Sequence, residues 1–146
     1  MSVLISNNQT NHRLPVQKIQ KTAQAVLNAL DSPDAELSLL ITDDNEIARF
    51  NKEYLKRTGP TNVIAFPMTE GEFSQITPGL LGDVVISADT AFREAQNMNI
   101  GLEARFTHLL IHGILHLMGY DHEASDQQAE EMDRKAEELS QILKSL

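Results

Sequence analysis

Three histidines lie within one short stretch, HGILHLMGYDH, at a spacing that suits a metal ion. His112 and His116 are four residues apart, so on a helix their imidazoles lie on one face and can share an ion. His122 follows after Gly119, a residue that can end the helix with positive φ and turn the chain back toward that ion. The stretch therefore predicts a three-histidine metal site built from the end of one helix and the turn after it.

Three neutral imidazoles are typical of catalytic zinc sites, because they leave the fourth tetrahedral position open. We therefore expect one zinc ion per chain, held by His112, His116 and His122. Nickel is the second candidate, because imidazole suits both metals. A set of packed core histidines and a structural zinc completed by Asp121 are the alternatives to a catalytic site. The absence of cysteine excludes a thiolate site and any disulfide.

The histidine spacing is shared with a large class of zinc proteases, whose general base is a glutamate directly after the first histidine. That position is Gly113 here. A metallopeptidase would need a base from elsewhere in the chain, for example Asp83 or Glu103. Asp121 and His108 are close enough in sequence to be tested as a base or a supporting residue. The sequence assigns no catalytic residue.

The length and composition are those of an ordinary globular protein. At 146 residues, with 41% hydrophobic and 23% charged residues, we expect one domain spanning residues 1–146. The start of the chain, MSVLISNNQTNHR, lacks the basic segment and long apolar run of a signal peptide. The longest apolar stretch is interrupted by histidines, so no membrane span is predicted. We expect a cytoplasmic protein.

The net charge of −9 argues against general affinity for nucleic acid. The charge is unevenly distributed, however. Seven basic and seven acidic residues balance up to Phe66, whereas acidic residues dominate the remainder. A basic surface must therefore come from the first half of the chain.

Hydrophobic periodicity and capping residues predict nine elements. Asp43, Ser87 and Ser125 are placed to cap helices, and Gly119 to end one. The predicted strands are SVLIS (2–6), ELSLLIT (36–42), NVIAF (62–66) and LLGDVVIS (80–87). The predicted helices run from Pro15 to about Leu30, from Asp43 to about Arg57, from Ser87 to about Asn99, over 102–118, and from Ser125 onward.

The order β-α-β-α-β-β-α-α-α predicts an α/β (α+β) fold. We expect a single mixed sheet of about four strands covered by about five helices. The metal site lies at the end of a helix in the C-terminal half. A long loop from Pro67 to Gly79 separates the third and fourth strands, which form an antiparallel pair if they make a hairpin.

A basic stripe is predicted on the second helix. Arg49, Lys52 and Lys56 recur at spacings of three and four, and Arg57 follows at the end. Such a stripe can bind phosphates without reading sequence, although many charge stripes are simply solvated helix faces. Arg49, Lys56 and Arg57 are the candidate substrate-binding residues.

Together these motifs resemble the signature of the YbeY-type endoribonucleases, the bacterial rRNA maturation factors. HGILHLMGYDH is similar to the family's His-Gly-x-x-His-x-x-Gly-Tyr-Asp-His. Upstream, PTNVIAFP at 60–67 and LLGDVVIS at 80–87 resemble two further family segments in the same order. The likeness covers the chain from about Leu37 to the last helix.

The resemblance implies a hydrolase: a zinc-dependent endoribonuclease specific for single strands. It further implies action in 16S rRNA 3′-end maturation and ribosome quality control, with the small ribosomal subunit as partner. His112, His116 and His122 correspond to the family's metal ligands. Membranes and DNA are not expected as partners. Whether water or the RNA 2′-hydroxyl attacks the phosphodiester is left open.

Three positions depart from the family pattern. Leu55 stands where the family usually has a functional arginine, Thr58 where it has aspartate, and Ala65 where it has serine. Lys56 or Arg57, which follow Leu55 directly, could supply the positive charge that the family's arginine would carry. The departure also keeps a non-catalytic, zinc-bearing, ribosome-associated factor as an alternative to an enzyme, beside a metallopeptidase.

Overall fold

The computed structural model describes residues 3–68 and 80–145, which form four strands and five helices. In chain order they are β1 (Val3–Asn7), α1 (Val16–Ala29), β2 (Glu36–Thr42), α2 (Asp44–Leu55), β3 (Val63–Pro67), β4 (Leu80–Ser87), α3 (Ala88–Met98), α4 (Leu102–Leu117) and α5 (Asp126–Lys144). The predicted element order is confirmed. Most of the predicted 67–79 loop, residues 69–79, lies outside the described residues.

The four strands make one mixed sheet in the order β1-β2-β4-β3. β1 pairs with β2, and β2 with β4, in parallel, whereas β3 pairs antiparallel with β4. The predicted mixed sheet and antiparallel pair are therefore confirmed. β3 is an edge strand, because it has β4 as its one neighbour within the described parts of the chain.

The main core lies between one face of the sheet and the helices α1, α4 and α5. Leu39, Val84 and Ile86 from the sheet and Leu110 and Ile114 from α4 are fully or almost fully buried there. The opposite face is covered in part by α2, through a smaller apolar cluster. Because α4 is buried over most of its length, the helix that carries two of the histidines is held firmly on the sheet.

The predicted helix caps form as expected from their sequence spacing. The side chain of Asp43 accepts a hydrogen bond from the Glu46 N–H at 2.8 Å. Ser125 accepts one from the Gln128 N–H at 3.1 Å. Each cap satisfies an N–H group that the first turn of a helix cannot pair internally. Within residues 3–68 and 80–145, the helices lack the combination of length and apolarity that a membrane span requires.

Helix α2 ends at Leu55, two residues before the predicted end. Lys56 adopts a left-handed conformation with φ of 57°, and the Arg57 N–H bonds back to the Asn51 carbonyl at 3.1 Å. The Asn51 side chain in turn donates to the Gly59 carbonyl at 2.9 Å. The left-handed residue turns the chain away from the helix axis, so Lys56 does not extend the predicted basic stripe.

Asp44 ties the start of α2 to the end of β4 and to α3. Its carboxylate accepts hydrogen bonds from Ser87 Oγ at 2.7 Å, Thr90 Oγ1 at 2.6 Å and Arg93 Nη1 at 2.7 Å. Burial alone would raise the pKa of Asp44, but the hydrogen bonds from Arg93, Thr90 and Ser87 outweigh it and hold the pKa below its ordinary value.

We expect Asp44→Asn to lower the free energy of unfolding by about 1–3 kcal/mol at neutral pH, because charge-assisted hydrogen bonds are lost. The folded protein binds the Asp44 proton less readily than the unfolded chain. The stabilisation is therefore fully present above about pH 4 and is lost as the pH falls through the folded pKa. Urea denaturation of both proteins between pH 3 and 7 measures this. A difference that does not shrink below pH 4 contradicts the prediction.

Candidate metal centre

The structure brings the three predicted histidines together. His112, His116 and His122 each offer a ring nitrogen, and these atoms all lie within 4.8 Å of one another. His116 Nε2 is 3.2 Å from His122 Nδ1. The three ring centroids are 4.9, 5.1 and 5.2 Å apart. The ring nitrogens therefore converge on one point.

The turn after α4 carries His122 back to the helix. Gly119 has φ of +100°, and its N–H bonds to the His116 carbonyl at 3.1 Å. The Tyr120 N–H bonds to the Leu115 carbonyl at 3.0 Å. These are the two hydrogen bonds of a Schellman motif, which needs a left-handed residue after the helix. Glycine takes that conformation without the steric cost a side chain would carry.

Gly113 is packed against the sheet. A Cβ atom at this position would lie 2.7 Å from Val84 Cγ1 and 3.3 Å from Val63 Cγ2, closer than carbon atoms pack in proteins. Val84 is fully buried and β-branched, so it has little freedom to move. The position where zinc proteases carry their glutamate therefore has no space for a side chain.

The environment keeps His112 and His116 uncharged at neutral pH. Burial, reinforced by the neighbouring His116 and His122, lowers the pKa of His112 to about 4. Burial likewise lowers the pKa of His116, with a further contribution from His122. Neutral imidazole is the form that binds metal, so no proton has to be removed from these two ligands at neutral pH. The convergence and donor type of the three side chains, with His112 and His116 uncharged, fit a divalent ion such as zinc or nickel.

The three histidines open onto a cleft of about 440 Å³ between α4, β3 and the end of α2. Arg57 is the single arginine or lysine, and Glu123 the single carboxylate, among the described residues that line it. The other lining residues are Leu55, Thr61, Asn62, Val63, Ile64, Ala65 and Gly113. The cleft thus places one cation and one anion beside the histidines.

The structure places one of the three predicted substrate-binding residues in the cleft and the other two outside its described lining. Arg57 lines the cleft, whereas Arg49 and Lys56 are not among its described lining residues. Arg49 instead lies 3.7 Å from the Glu46 carboxylate and over the Phe50 ring. Lys56 Nζ donates to the Glu53 carbonyl at 2.9 Å. Leu55 lines the cleft with 41% of its surface exposed, so the residue at the family's arginine position belongs to the same cleft as the histidines.

The residues considered as a base lie elsewhere. His108 lines a groove between α1, α4 and α5, where Glu103 pairs with Lys18. Asp121 accepts the Glu123 N–H at 2.9 Å and so closes the turn. Asp83 lies in a groove on the other face of the sheet. These four residues are therefore absent from the described lining of the cleft.

Glu123 was not identified from the sequence. Its carboxylate lies 3.8 Å from His122 Nε2, the ring nitrogen that faces away from His116. At this distance, which is longer than a hydrogen bond, the carboxylate contributes negative charge beside the imidazole. The sequence feature that could have identified it is its position directly after the third histidine.

Asn62 was also missed. Its side-chain NH2 group donates to both carboxylate oxygens of Glu94, at 3.4 and 3.2 Å. Its side-chain oxygen, Oδ1, accepts a hydrogen bond from the Val63 N–H at 2.7 Å. Glu94 also accepts from Arg105 Nε at 3.0 Å. Because Arg105 belongs to α4, this chain of hydrogen bonds holds the strand wall of the cleft against the helix that carries the histidines.

Comparison with known proteins gives one consistent family. The chain matches the sequence model of the family described as Endoribonuclease YbeY over residues 4–144. It is 51% identical to an endoribonuclease YbeY of Syntrophotalea carbinolica over 136 residues, covering 92% of this chain and 91% of the relative. It is 49% identical to that of Geobacter metallireducens over 144 residues, covering 98% and 96%.

The fold also occurs in a solved structure. The solution structure of a Thermotoga maritima protein superposes with a TM-score of 0.64, covering 98% of this chain and 92% of the other. The two sequences are 22% identical, so this comparison supports the fold alone.

Proposed function

Because the chain belongs to the endoribonuclease YbeY family, we propose that it is a zinc-dependent endoribonuclease that cuts single-stranded RNA. The observation that carries the proposal is the cleft that the three histidines and Arg57 line together. This arrangement offers a metal site and a phosphate-binding cation within one surface. The catalytic domain spans residues 1–146 in this proposal.

The side chains of the cleft have separate tasks. His112, His116 and His122 would hold a divalent ion, which would supply positive charge to stabilise the phosphate that is attacked. Arg57 holds a phosphate of the strand by charge pairing, which positions the backbone without reading its sequence. Glu123 adds negative charge 3.8 Å from His122 Nε2. The absence of space at Gly113 removes the base of the protease mechanism and so supports phosphodiester over peptide cleavage.

The test is cleavage of end-labelled RNA by protein of measured zinc content. We expect cuts in a single-stranded RNA, and none in the same sequence paired in a duplex or made as DNA. Sub-stoichiometric protein must give many turnovers. If zinc is present at one per chain and no RNA is cut, the enzyme proposal fails. RNA binding without turnover would then favour a non-catalytic ribosome-associated factor. The apolar Leu55, at the family's arginine position in the cleft, is consistent with this alternative.

We further propose that the substrate is the 3′ end of 16S rRNA, together with the rRNA of defective ribosomes, in the cytoplasm. The proposal rests on the family to which the chain belongs. Purified precursor small subunits, with free precursor rRNA beside them, provide the test. Cleavage at the mature 3′ end in the particle supports the proposal, and cleavage confined to unrelated sites contradicts it.

The role proposed for Arg57 predicts how its removal changes the rate of RNA cleavage. We expect Arg57→Ala to lower kcat/KM for single-stranded RNA by about 10–100-fold, since a charged hydrogen bond to phosphate contributes roughly 1.5–3 kcal/mol. Leu55→Arg, at a lining position beside the same histidines, should raise kcat/KM in the native protein and restore part of the loss in Arg57→Ala. Steady-state kinetics at fixed salt measure both effects.

Lys56→Ala is the matched control, because this neighbouring cation bonds to Glu53 and is absent from the described lining of the cleft. An equal loss in Lys56→Ala and Arg57→Ala would show that the cations act through general charge, not through the cleft.

A further inference from the structure

The outer edge of β3 borders the cleft. β3 has β4 on one side and no second strand on the other within the described residues. Residues 61–65 line the same cleft as the histidines. An edge strand presents backbone N–H and C=O groups that no neighbouring strand uses, and these can bind another molecule.

The pairing with β4 determines which backbone groups point outward. The Asn62 carbonyl accepts the Ser87 N–H at 3.0 Å, so Asn62 and Ser87 form a hydrogen-bonded pair. In antiparallel strands such pairs alternate with pairs that exchange no hydrogen bonds. The register Ile64↔Val85 and Ala65↔Val84 then directs the N–H and C=O of Ile64 to β4. The same groups of Val63 and Ala65, and the Pro67 carbonyl, point to the outer edge.

Within the described residues of β3, one outward backbone N–H remains along this edge. The Val63 N–H is already bonded to the Asn62 side chain at 2.7 Å, and Pro67 has no N–H. The Ala65 N–H is left, flanked by the outward carbonyls of Val63 and Ala65. Binding an added peptide strand relies on a series of main-chain hydrogen bonds, so a single donor suits a small planar group better.

We propose that β3 binds an unpaired nucleobase of the RNA substrate through the backbone groups of Val63 and Ala65. The inference rests on the proposed function and adds to it the part of the RNA that is recognised. Every base has a donor and an acceptor next to each other on its Watson–Crick edge, which can pair with the Val63 or Ala65 carbonyl and the Ala65 N–H. In a duplex that edge is already paired.

Leu55 and Arg57 complete the subsite. Leu55 offers an exposed apolar surface in the same cleft, against which the face of a base can pack. Arg57 lies in the cleft to hold a phosphate. Backbone groups accept any base in this way, so the subsite selects for a free Watson–Crick edge and is indifferent to sequence. Single-strand specificity follows directly.

The first test leaves the protein unchanged. Short oligouridine RNAs carry N3-methyluridine, which blocks the Watson–Crick edge, at one position at a time; 5-methyluridine, with the same extra methyl group and an intact edge, is the control. Binding is measured by fluorescence anisotropy with metal-depleted full-length protein, and cleavage with the zinc-loaded protein. We expect N3-methyluridine at one position beside the cut to weaken binding about tenfold, the equivalent of one or two hydrogen bonds.

The second test removes the donor. In Ala65→Pro the lost N–H points outward, so the ladder with β4 remains, as edge strands allow; Ala65→Val keeps the N–H and controls for added bulk. We expect the proline variant alone to lose the difference between N3-methyluridine and 5-methyluridine. Equal binding of the two modified RNAs to the native protein overturns the inference, even if RNA is cut. Failure to bind or cut any RNA overturns the proposed function as well.

Discussion

His116→Ala is expected to abolish both metal binding and RNA cleavage. The His116 ring lies 4.9 Å from that of His112 and 5.2 Å from that of His122, and its Nε2 is 3.2 Å from His122 Nδ1. Even residues that only support a metal ligand cost roughly 10–100-fold in affinity when they are replaced, so loss of a ligand should exceed this range. Zinc content after dialysis and cleavage of single-stranded RNA are the measurements.

His108→Ala is the matched control for this variant. His108 belongs to the same helix but lines a groove on another side of it. We expect the His108 variant to keep one zinc ion per chain and native cleavage. Two results would contradict the assignment: full zinc content in His116→Ala, or equal loss in both variants.

Gly113→Ala should destabilise the protein by about 1–3 kcal/mol, the cost of overpacking a tight core. The added methyl group would meet Val84 Cγ1 at 2.7 Å, and both α4 and β4 would have to move apart. Thermal unfolding should show a melting temperature lower by several degrees. Gly113→Glu, which restores the protease residue, should prevent folding, because it also buries an unpaired charge.

Gly101→Ala tests whether the effect of Gly113 arises from packing. Gly101 begins the same helix, and a Cβ atom there would have nothing within 4 Å. We expect a change below about 1 kcal/mol, the usual range for a cap residue of this kind. Equal destabilisation in the two alanine variants would show that close packing at Gly113 is not the cause.

Features encoded by neighbouring residues were predictable from the sequence. Spacings of a few residues were enough to predict three features: the caps at Asp43 and Ser125, the turn at Gly119, and the pairing of His112 with His116. These features depend on helix geometry, which is the same in any protein. The order of elements followed from hydrophobic periodicity for the same reason.

Features that depend on contacts between distant segments were not predictable in this way. The choice of Arg57 over Lys56 as the cation of the cleft depends on the left-handed turn at Lys56. Gly113 could be identified as unusual from sequence, but the reason for it is the close approach of Val84. Asn62 acquires its place through Glu94 and Arg105, which are far away in the chain.

The close sequence spacing of the three histidines has a consequence for folding. All of them fall within eleven residues, His112 to His122, so binding a metal ion closes only a short loop and costs little chain entropy. An unfolded chain with the same three side chains therefore retains some affinity for the ion. Because a ligand stabilises a fold only by its preference for the native state, such a site contributes less to thermodynamic stability than its affinity suggests. An ion bound to the unfolded chain would favour the C-terminal part of α4, which carries His112 and His116, before the sheet forms.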